Sequence, residues 1–251
     1  MLPNILDPGE REIAIFAYES LMVRINRPIS PKQVKYLIFD LDGTLIDSRQ
    51  DLVSSVNAML RHLRRPELPP DVIASYVGDG APMLVRRALG DPDDQNQVAE
   101  ALEFFLAYYR LHKLDHTRIY PGIPEALELL HRSGNGAGRR MAVLTNKPVN
   151  PSRQIVEALG LGRFFEHIYG GNSFPTKKPD PLGARTLMEQ AGVTPENTMV
   201  IGDSSVDVLT GRNSGAWTCG VTYGFAPQTL QTPAPDLLVD SLGELAEALR
   251  D

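Results

Sequence analysis

The 251-residue sequence is notable first for what it lacks. A single cysteine, Cys219, excludes an internal disulfide and is typical of a reducing compartment. Lys and Arg number 25 against 31 Asp and Glu, so the net charge of −6 argues against a broad nucleic-acid or anionic-membrane surface. No apolar run approaches the roughly 18 residues of a membrane span, and no basic stretch precedes an apolar one at the N-terminus. We therefore expect a cytoplasmic protein with no nucleic-acid and no membrane partner.

The composition and the order of apolar segments indicate an α/β fold. Apolar residues make up 42% of the chain and charged residues 22%, as in ordinary globular proteins. Short apolar runs alternate with helical patterns over most of the chain, which predicts a doubly wound, Rossmann-like parallel sheet covered by helices on both faces. The predicted strands are 34–40, 140–145, 167–170, 198–202, 218–221 and 237–239, and the predicted helices between them are 123–132, 151–159, 181–191 and 205–214.

Two segments interrupt this alternation. Residues 49–118 contain no clear strand and predict helices at 49–63, 71–76, 81–89 and 93–114, which we interpret as a small inserted α-helical cap. Residues 1–34 predict a separate N-terminal helical extension, with a helix over 10–26 that either packs on the main body or contacts a partner. The α/β core is then 35–48 together with 119–251, and a homodimer could form through the extension or the cap.

Two carboxylates, Asp40 and Asp42, follow the apolar run Tyr36–Phe39. Like charges at the end of a buried strand repel each other, and a divalent cation is the ordinary relief. Gly43 permits a sharp turn, so one carboxylate can serve a metal while the other faces a substrate.

Further polar residues follow other predicted strands. Thr145 and Asn146 follow one strand, Asp203 and Asp207 follow another, and Lys178 precedes a helix. Ligands of open α/β sheets bind beyond the carboxyl ends of the strands, so these side chains are expected to converge near Asp40. Carboxylates without Cys or His favour Mg²⁺. Together with a lysine and a hydroxyl they form a set suited to phosphoryl transfer, and no P-loop motif is present.

Four motifs in this order resemble those of the haloacid dehalogenase-like superfamily: Asp40-Leu-Asp-Gly-Thr-Leu-Ile-Asp-Ser48, Leu144-Thr-Asn146, Lys178-Pro-Asp-Pro181 and Gly202-Asp-Ser-Ser-Val-Asp207. The resemblance implies that Asp40 is the nucleophile that forms an aspartyl-phosphate and that Asp42 is the general acid and base. It also implies that Mg²⁺ is held by Asp40, Asp42 through its backbone carbonyl, and Asp203, with Asp207 supporting the metal shell or Lys178. Thr145 and Asn146 would bind the phosphoryl oxygens, and Lys178 would offset their charge.

Finer features resemble the phosphoglycolate phosphatases of this superfamily, among them Thr145-Asn-Lys-Pro148 and Val77-Gly-Asp-Gly-Ala81. They imply a small phosphorylated metabolite, 2-phosphoglycolate, as substrate. The segment Gly78, Asp79, Gly80 opens a predicted cap helix, whose N-terminus would attract an anion. Arg86 or Arg87 could pair with a substrate carboxylate, and Asp79 could instead cap the helix.

Other functions remain open at this point. The enzymatic alternatives are a β-phosphoglucomutase-like sugar phosphomutase and a sugar-phosphate, nucleotide or pyrophosphate phosphatase of the same superfamily. The non-enzymatic alternative is a phosphate-sensing interaction protein that uses the N-terminal helix. A mutase must protect its phosphorylated aspartate from water, so rapid release of phosphate would separate it from a phosphatase.

Overall fold

The computed structural model describes residues 23–133 and 138–250, and all structural statements below concern this part of the chain. Seven of its strands form one sheet in the order β1-β9-β8-β7-β2-β5-β6, and β3 pairs separately with β4. The strands are β1 Arg24–Ile25, β2 Tyr36–Phe39, β3 Ile46–Asp47, β4 Arg118–Ile119, β5 Arg140–Leu144, β6 His167–Tyr169, β7 Thr198–Gly202, β8 Trp217–Val221 and β9 Leu237–Val239. The helices are α1 Arg49–His62, α2 Pro70–Ser75, α3 Ala81–Ala88, α4 Gln95–His112, α5 Ile123–Arg132, α6 Val149–Ala158, α7 Leu182–Ala191, α8 Ser205–Ser214 and α9 Leu242–Ala248.

Strand β2 lies at the centre of the sheet, parallel to β5 on one side and to β7 on the other. Its four residues are fully buried because each face of the strand packs against a different apolar cluster. Leu37 and Phe39 contact the cluster that contains α5 and α9, whereas Tyr36 and Ile38 face α7. The chain runs from β2 to β5 and β6 in one direction and later to β7, β8 and β9 in the other. The carboxyl end of β2 is therefore the switch point at which ligands bind in open α/β sheets.

Helices α1 to α4 surround an apolar cluster of their own. Its buried members come from all four helices and include Val56, Met59, Ile73, Val85 and Phe105. The two apolar clusters of the sheet contain no buried residue between 47 and 122. The helical segment thus has an internal core, which explains how so long an insertion folds beside the sheet.

Strands β3 and β4 join the helical segment to the rest of the chain. They pair antiparallel, with Ile46 opposite Ile119 and Asp47 opposite Arg118. The side chain of Asp51, at the start of α1, is buried and accepts hydrogen bonds from the backbone N–H groups of His116 and Thr117 and from the Thr117 hydroxyl. The beginning and the end of the helical segment are therefore fastened to each other.

We expect Asp51→Ala to lower the free energy of unfolding by about 2–4 kcal/mol, because it leaves several donors around a buried position without an acceptor. Urea titration followed by circular dichroism measures the change. Glu100→Ala, at an exposed position of α4, is the matched control and should change the free energy by less than about 0.5 kcal/mol. A loss below about 1 kcal/mol in Asp51→Ala would contradict this role for the carboxylate.

The structure confirms the predicted α/β class. It corrects the secondary structure predicted for the N-terminal part of the chain. Arg24–Ile25 form a strand that pairs antiparallel with β9, so the predicted helix over 10–26 is wrong at its C-terminal end. The physical reason is an available sheet edge, to which Asn26 and Arg27 also bond through the Asp236 carbonyl. The rest of that predicted helix lies outside the described residues. Among the described helices none is both long and apolar enough to cross a bilayer.

Candidate active site

A cavity of about 60 Å³ lies beyond the carboxyl ends of β2, β5 and β7, between the sheet and the helical segment. Polar side chains from the strand ends line one side of it, and apolar side chains from α1, α3 and α4 line the other. The polar group consists of Asp40, Asp42, Thr145, Asn146, Lys147, Lys178, Asp203 and Ser204. The apolar group includes Leu52, Leu84, Phe105 and Leu106. The structure therefore brings together residues that are separated by more than 160 positions in the sequence.

Asp40 belongs to a cluster of buried charges. One of its carboxylate oxygens lies 2.8 Å from the Lys178 ammonium, which also donates to Asp207 at 2.6 Å. Carboxylate oxygens of Asp40, Asp203 and Asp207 all lie within 4.8 Å of one another. Three carboxylates at this separation, with one lysine between two of them, could hold a divalent cation.

The ionisation of this cluster reflects its burial. Burial raises the pKa of Asp40 to about 6, although the Lys178 ammonium opposes the shift. Burial, together with the charges of Asp207 and Asp40, raises the pKa of Asp203 to about 8. Burial disfavours the charged form of Lys178, but the Asp207 and Asp40 carboxylates outweigh it and raise its pKa. At neutral pH the metal-free site thus retains a proton on Asp203, which a bound cation would displace.

Asp42 is held apart from this cluster. Its carboxylate accepts a hydrogen bond from the Ser48 hydroxyl at 2.5 Å and contacts the Lys147 ammonium through both oxygens at 2.9 Å. The chain turns at Gly43, where φ is +83°, and a Cβ at that position would lie 2.3 Å from a carboxylate oxygen of Asp203. Glycine is therefore required both for the turn and for the approach of Asp203.

Asp203 and Asp207 are positioned by the turn into α8 and by a neighbouring loop. Asp203 accepts hydrogen bonds from the backbone N–H groups of Phe225 and Ala226. Asp207 accepts from the backbone N–H and the hydroxyl of Ser204 and so caps α8. It does not line the cavity but stands behind Lys178.

Thr145 and Asn146 follow β5 and face the cavity. Asn146 donates from its amide nitrogen to the Gly78 carbonyl at 2.9 Å and to the Lys178 carbonyl at 3.0 Å, so it joins the sheet side to the helical segment. Its buried carbonyl oxygen has no hydrogen-bond partner within the described part of the chain. Because an amide oxygen accepts hydrogen bonds, a ligand with an N–H or O–H donor would satisfy it.

Only part of the predicted cap loop reaches the cavity. Gly78 and Gly80 line it, whereas Asp79 and Arg86 do not. Asp79 forms an ion pair with Arg87, and its carbonyl accepts a hydrogen bond from Lys177. Arg86 pairs with Asp91 beyond the end of α3.

The structure does not bring Asp79 or Arg86 to the cavity, so their roles in binding substrate stay predictions. The reason is the register of α3, which turns Ala81, Leu84, Val85 and Ala88 inward and leaves both arginines on its other side. Asp79 is also not the cap of this helix, since Gly80 is the residue at its N-terminus.

One residue of the cavity received no role from the sequence. Lys147 is buried, contacts Asp42 and lies 4.6 Å from the centroid of the Tyr109 ring on α4. Burial alone would lower the pKa of its ammonium, but the Asp42 carboxylate raises it. In the sequence, the only indication of a role for Lys147 was its position after a predicted strand, two residues after Thr145. Its contact with α4 depends on tertiary structure and could not be predicted.

We expect the affinity for a divalent cation to rise by roughly tenfold per pH unit between pH 6 and 8, because the cation displaces a proton from Asp203. Titration calorimetry at pH 6, 7 and 8, in buffers of different ionisation enthalpy, measures the affinity and the protons released. The raised pKa values of Asp40 and Asp203 stabilise the metal-free protein at acidic pH, and this contribution is lost as pH rises through about 6 and about 8. The increase in melting temperature on adding the cation should therefore grow over the same range.

Asp203→Asn is the control for this prediction. It removes the proton that the cation displaces, so it should weaken binding at pH 8 and flatten the pH dependence. An affinity that is constant from pH 6 to 8 in the unaltered protein would contradict the assignment of these carboxylates.

Comparison with known proteins places the chain in a family. A family model described as haloacid dehalogenase-like hydrolase matches residues 37–221, a range that contains all four motifs and the helical segment. The chain belongs to the haloacid dehalogenase-like hydrolase family. The resemblance predicted from the motifs is thus confirmed, and the chain is a hydrolase.

Several relatives of this hydrolase have a name in common. It is 38% identical over 224 residues to a phosphoglycolate phosphatase of Pseudomonas putida. That alignment covers 86% of this chain and 80% of the Pseudomonas protein. It is 37% identical over 224 residues to a phosphoglycolate phosphatase of Chromobacterium violaceum, and the alignment covers 88% of this chain and 98% of that protein. A crystal structure described as a predicted phosphoglycolate phosphatase from Haemophilus somnus 129pt matches with a TM-score of 0.79 at 29% identity, covering 87% of this chain and 99% of that one.

Proposed function

We propose that this hydrolase is a Mg²⁺-dependent phosphatase that converts 2-phosphoglycolate to glycolate and phosphate. The observation that supports it most is the separation of two neighbouring carboxylates into different surroundings. Asp40 lies with Lys178 in the three-carboxylate cluster, whereas Asp42 contacts Ser48 and Lys147. Such a pair suits a nucleophile and a general acid–base. The names of the relatives support the choice of substrate.

The chemistry of the donor groups favours magnesium as the cation. The cluster offers only carboxylate oxygens, and hard oxygen ligands suit Mg²⁺ better than a transition metal. Asp40, Asp203 and the backbone carbonyl of Asp42 would hold the ion, and Asp207 would support them through Lys178. When bound, the ion supplies positive charge that offsets the charge of the phosphoryl group.

The reaction proceeds in two steps on the protein's own residues. In the first, a carboxylate oxygen of Asp40 attacks phosphorus, the bond from phosphorus to the ester oxygen breaks, and Asp42 gives that oxygen a proton. In the second, Asp42 takes a proton from a water molecule that attacks phosphorus, and the bond to Asp40 breaks to release phosphate. Lys178 stabilises the negative charge, and Thr145 and Asn146 bind the phosphoryl oxygens.

The proposal assigns a separate role to each of three parts of the chain. Residues 35–48 and 119–251 form the catalytic core, residues 49–118 form a cap over the active site, and residues 1–34 form an extension. It also includes a cytoplasmic location, no nucleic-acid or membrane partner, and the cap or the extension as the surface for any homodimer. Light scattering gives the molar mass of the full chain and of a chain that begins at residue 23. A dimer that is lost in the shorter chain forms through the extension, and one that persists forms through the cap.

A panel of phosphate esters with Mg²⁺ tests the proposed activity. We expect 2-phosphoglycolate to give a kcat/KM at least about tenfold above those of glucose 6-phosphate, adenosine monophosphate and pyrophosphate, because the helical side of the cavity is mainly apolar and offers little to a sugar, a base or a second phosphate. Chelation of the metal should abolish the activity, and added Mg²⁺ should restore it. Interconversion of sugar phosphates without release of phosphate would instead identify a mutase.

A further inference from the structure

Lys147 occupies a position that the proposed phosphatase chemistry does not use. Among the described residues that line the cavity, the only cationic ones are Lys147 and Lys178. Lys178 lies between Asp40 and Asp207 and serves the phosphoryl group. Lys147 is 6% exposed and lies on the other side of Asp42, toward the helical segment. A buried lysine is costly unless it is paired, and the partner of Lys147 in this structure is the Asp42 carboxylate. Lys147 is thus a second buried ammonium, and it faces the part of the cavity that Lys178 does not serve.

The contact with Asp42 places Lys147 beside the leaving group. In the proposed reaction Asp42 gives a proton to the ester oxygen, so that oxygen must come within hydrogen-bond distance of the Asp42 carboxylate. The Lys147 ammonium is 2.9 Å from both oxygens of the same carboxylate. A substituent two bonds beyond the ester oxygen therefore falls within reach of the ammonium. An ammonium has three N–H donors, so it can contact Asp42 and a second carboxylate together.

The surroundings of Lys147 restrict what that substituent can be. The helical segment contributes mainly apolar side chains to the cavity, including Leu52, Leu84 and Phe105, and the Tyr109 ring packs against the ammonium. The cations that could have served instead are paired elsewhere, Arg86 with Asp91 and Arg87 with Asp79. In such a low-dielectric setting an anion beside Lys147 gains far more than a neutral or bulky polar group would.

We propose that Lys147 is the residue that selects the substrate, by binding a carboxylate carried on the carbon next to the ester oxygen, with Tyr109 fixing the ammonium in place. The substrate class is a small phosphorylated 2-hydroxy acid, of which 2-phosphoglycolate is the smallest. This inference rests on the proposed phosphatase function and deepens it.

The test compares 2-phosphoglycolate with ethyl phosphate, which has the same length but a methyl group in place of the carboxylate. For the unaltered enzyme we expect kcat/KM for phosphoglycolate to exceed that for ethyl phosphate by about 10²–10³-fold. In Lys147→Gln this ratio should fall to within about fivefold of one, chiefly through a higher KM for phosphoglycolate. Lys35→Gln, an exposed lysine at the opposite end of β2, is the matched control and should keep the ratio unchanged.

A binding measurement distinguishes recognition of the substrate carboxylate by Lys147 from an effect of Lys147 on the position of Asp42. Calorimetry with Mg²⁺ in an Asp40→Asn background should show that Lys147→Gln weakens phosphoglycolate binding by about 10²-fold and ethyl phosphate binding by less than about threefold. If Lys147 only positions Asp42, both substrates lose kcat by the same factor, the ratio persists, and the proposal is overturned.

The outcomes also distinguish this inference from the proposed function. An enzyme that prefers phosphoglycolate and keeps that preference in Lys147→Gln retains its proposed function without this role for Lys147. An enzyme that hydrolyses both esters equally contradicts the substrate and the role of Lys147 together. A folded, metal-loaded protein that hydrolyses no phosphate ester contradicts the proposed function itself, and the calorimetric comparison then decides whether Lys147 still recognises a carboxylate.

Discussion

Asp40→Asn should lower kcat for 2-phosphoglycolate by at least about 10⁴-fold, the largest effect expected of any single substitution in this protein. The amide of asparagine is far less nucleophilic than a carboxylate, so the phosphorylated intermediate cannot form. The side chain keeps its size, and Lys178 retains Asp207 as a partner, so the fold should persist. Steady-state kinetics with Mg²⁺, together with a thermal melt, measure both expectations.

Trapping the intermediate provides the direct check. Rapid quenching of the unaltered enzyme in acid, followed by mass spectrometry, should find one phosphate on the peptide that contains Asp40, and Asp40→Asn should show none. Asp47→Asn is the matched control, because Asp47 lies in strand β3 and does not line the cavity that contains Asp40. Phosphate found on another residue, or activity retained in Asp40→Asn, would rule out the nucleophile assigned here.

Asp42→Asn should lower kcat by about 10²–10⁴-fold, the usual contribution of a general acid–base. Its effect differs in kind from that of Asp40→Asn, since a nucleophile remains. The loss should depend on the leaving group: phosphoglycolate needs a proton on its departing alkoxide, whereas 4-nitrophenyl phosphate releases a stable phenolate. The first step should therefore be slowed much less for the nitrophenyl ester than for phosphoglycolate.

The second step gives this variant a further signature. In the proposed mechanism Asp42 also activates the water that releases phosphate. With 4-nitrophenyl phosphate the variant should therefore show a burst of nitrophenolate equal to the enzyme concentration, followed by slow turnover. Ser48→Ala, which removes the hydroxyl that contacts Asp42, serves as a milder comparison. Equal losses for both esters and no burst would indicate that Asp42 has only a structural role.

The fold class and much of the site were predictable because they depend on local pattern. The apolar run Tyr36–Phe39 ends at Asp40, and a strand this apolar is expected at the centre of a parallel sheet. The strand-end positions of Thr145 and Asp203 then follow from topology alone, and the structure places both in the cavity with Asp40. Helices α5 and α8 begin and end at the predicted residues because clear turn and cap signals bound them.

What was not predictable depends on tertiary contacts. Strands β1, β3 and β4 are two residues long, too short for any periodicity, and exist because a partner backbone lies beside them. The position of Arg86 away from the cavity depends on the register of α3, since one residue of rotation decides whether an arginine faces the cavity. Lys147 was overlooked because it contacts Asp42 and Tyr109, which are distant from it in the sequence.

The pairing of β3 with β4 has a consequence for how such enzymes diversify. Because the two linkers lie side by side, the segment that they enclose leaves and rejoins the sheet at nearly the same point. Lengthening, shortening or replacing that segment would not disturb the register of β2, β5 and β7, where the reacting groups stand. Evolution can thus exchange the segment that covers the cavity as one unit, and protein engineers can graft a different segment at the same two strands.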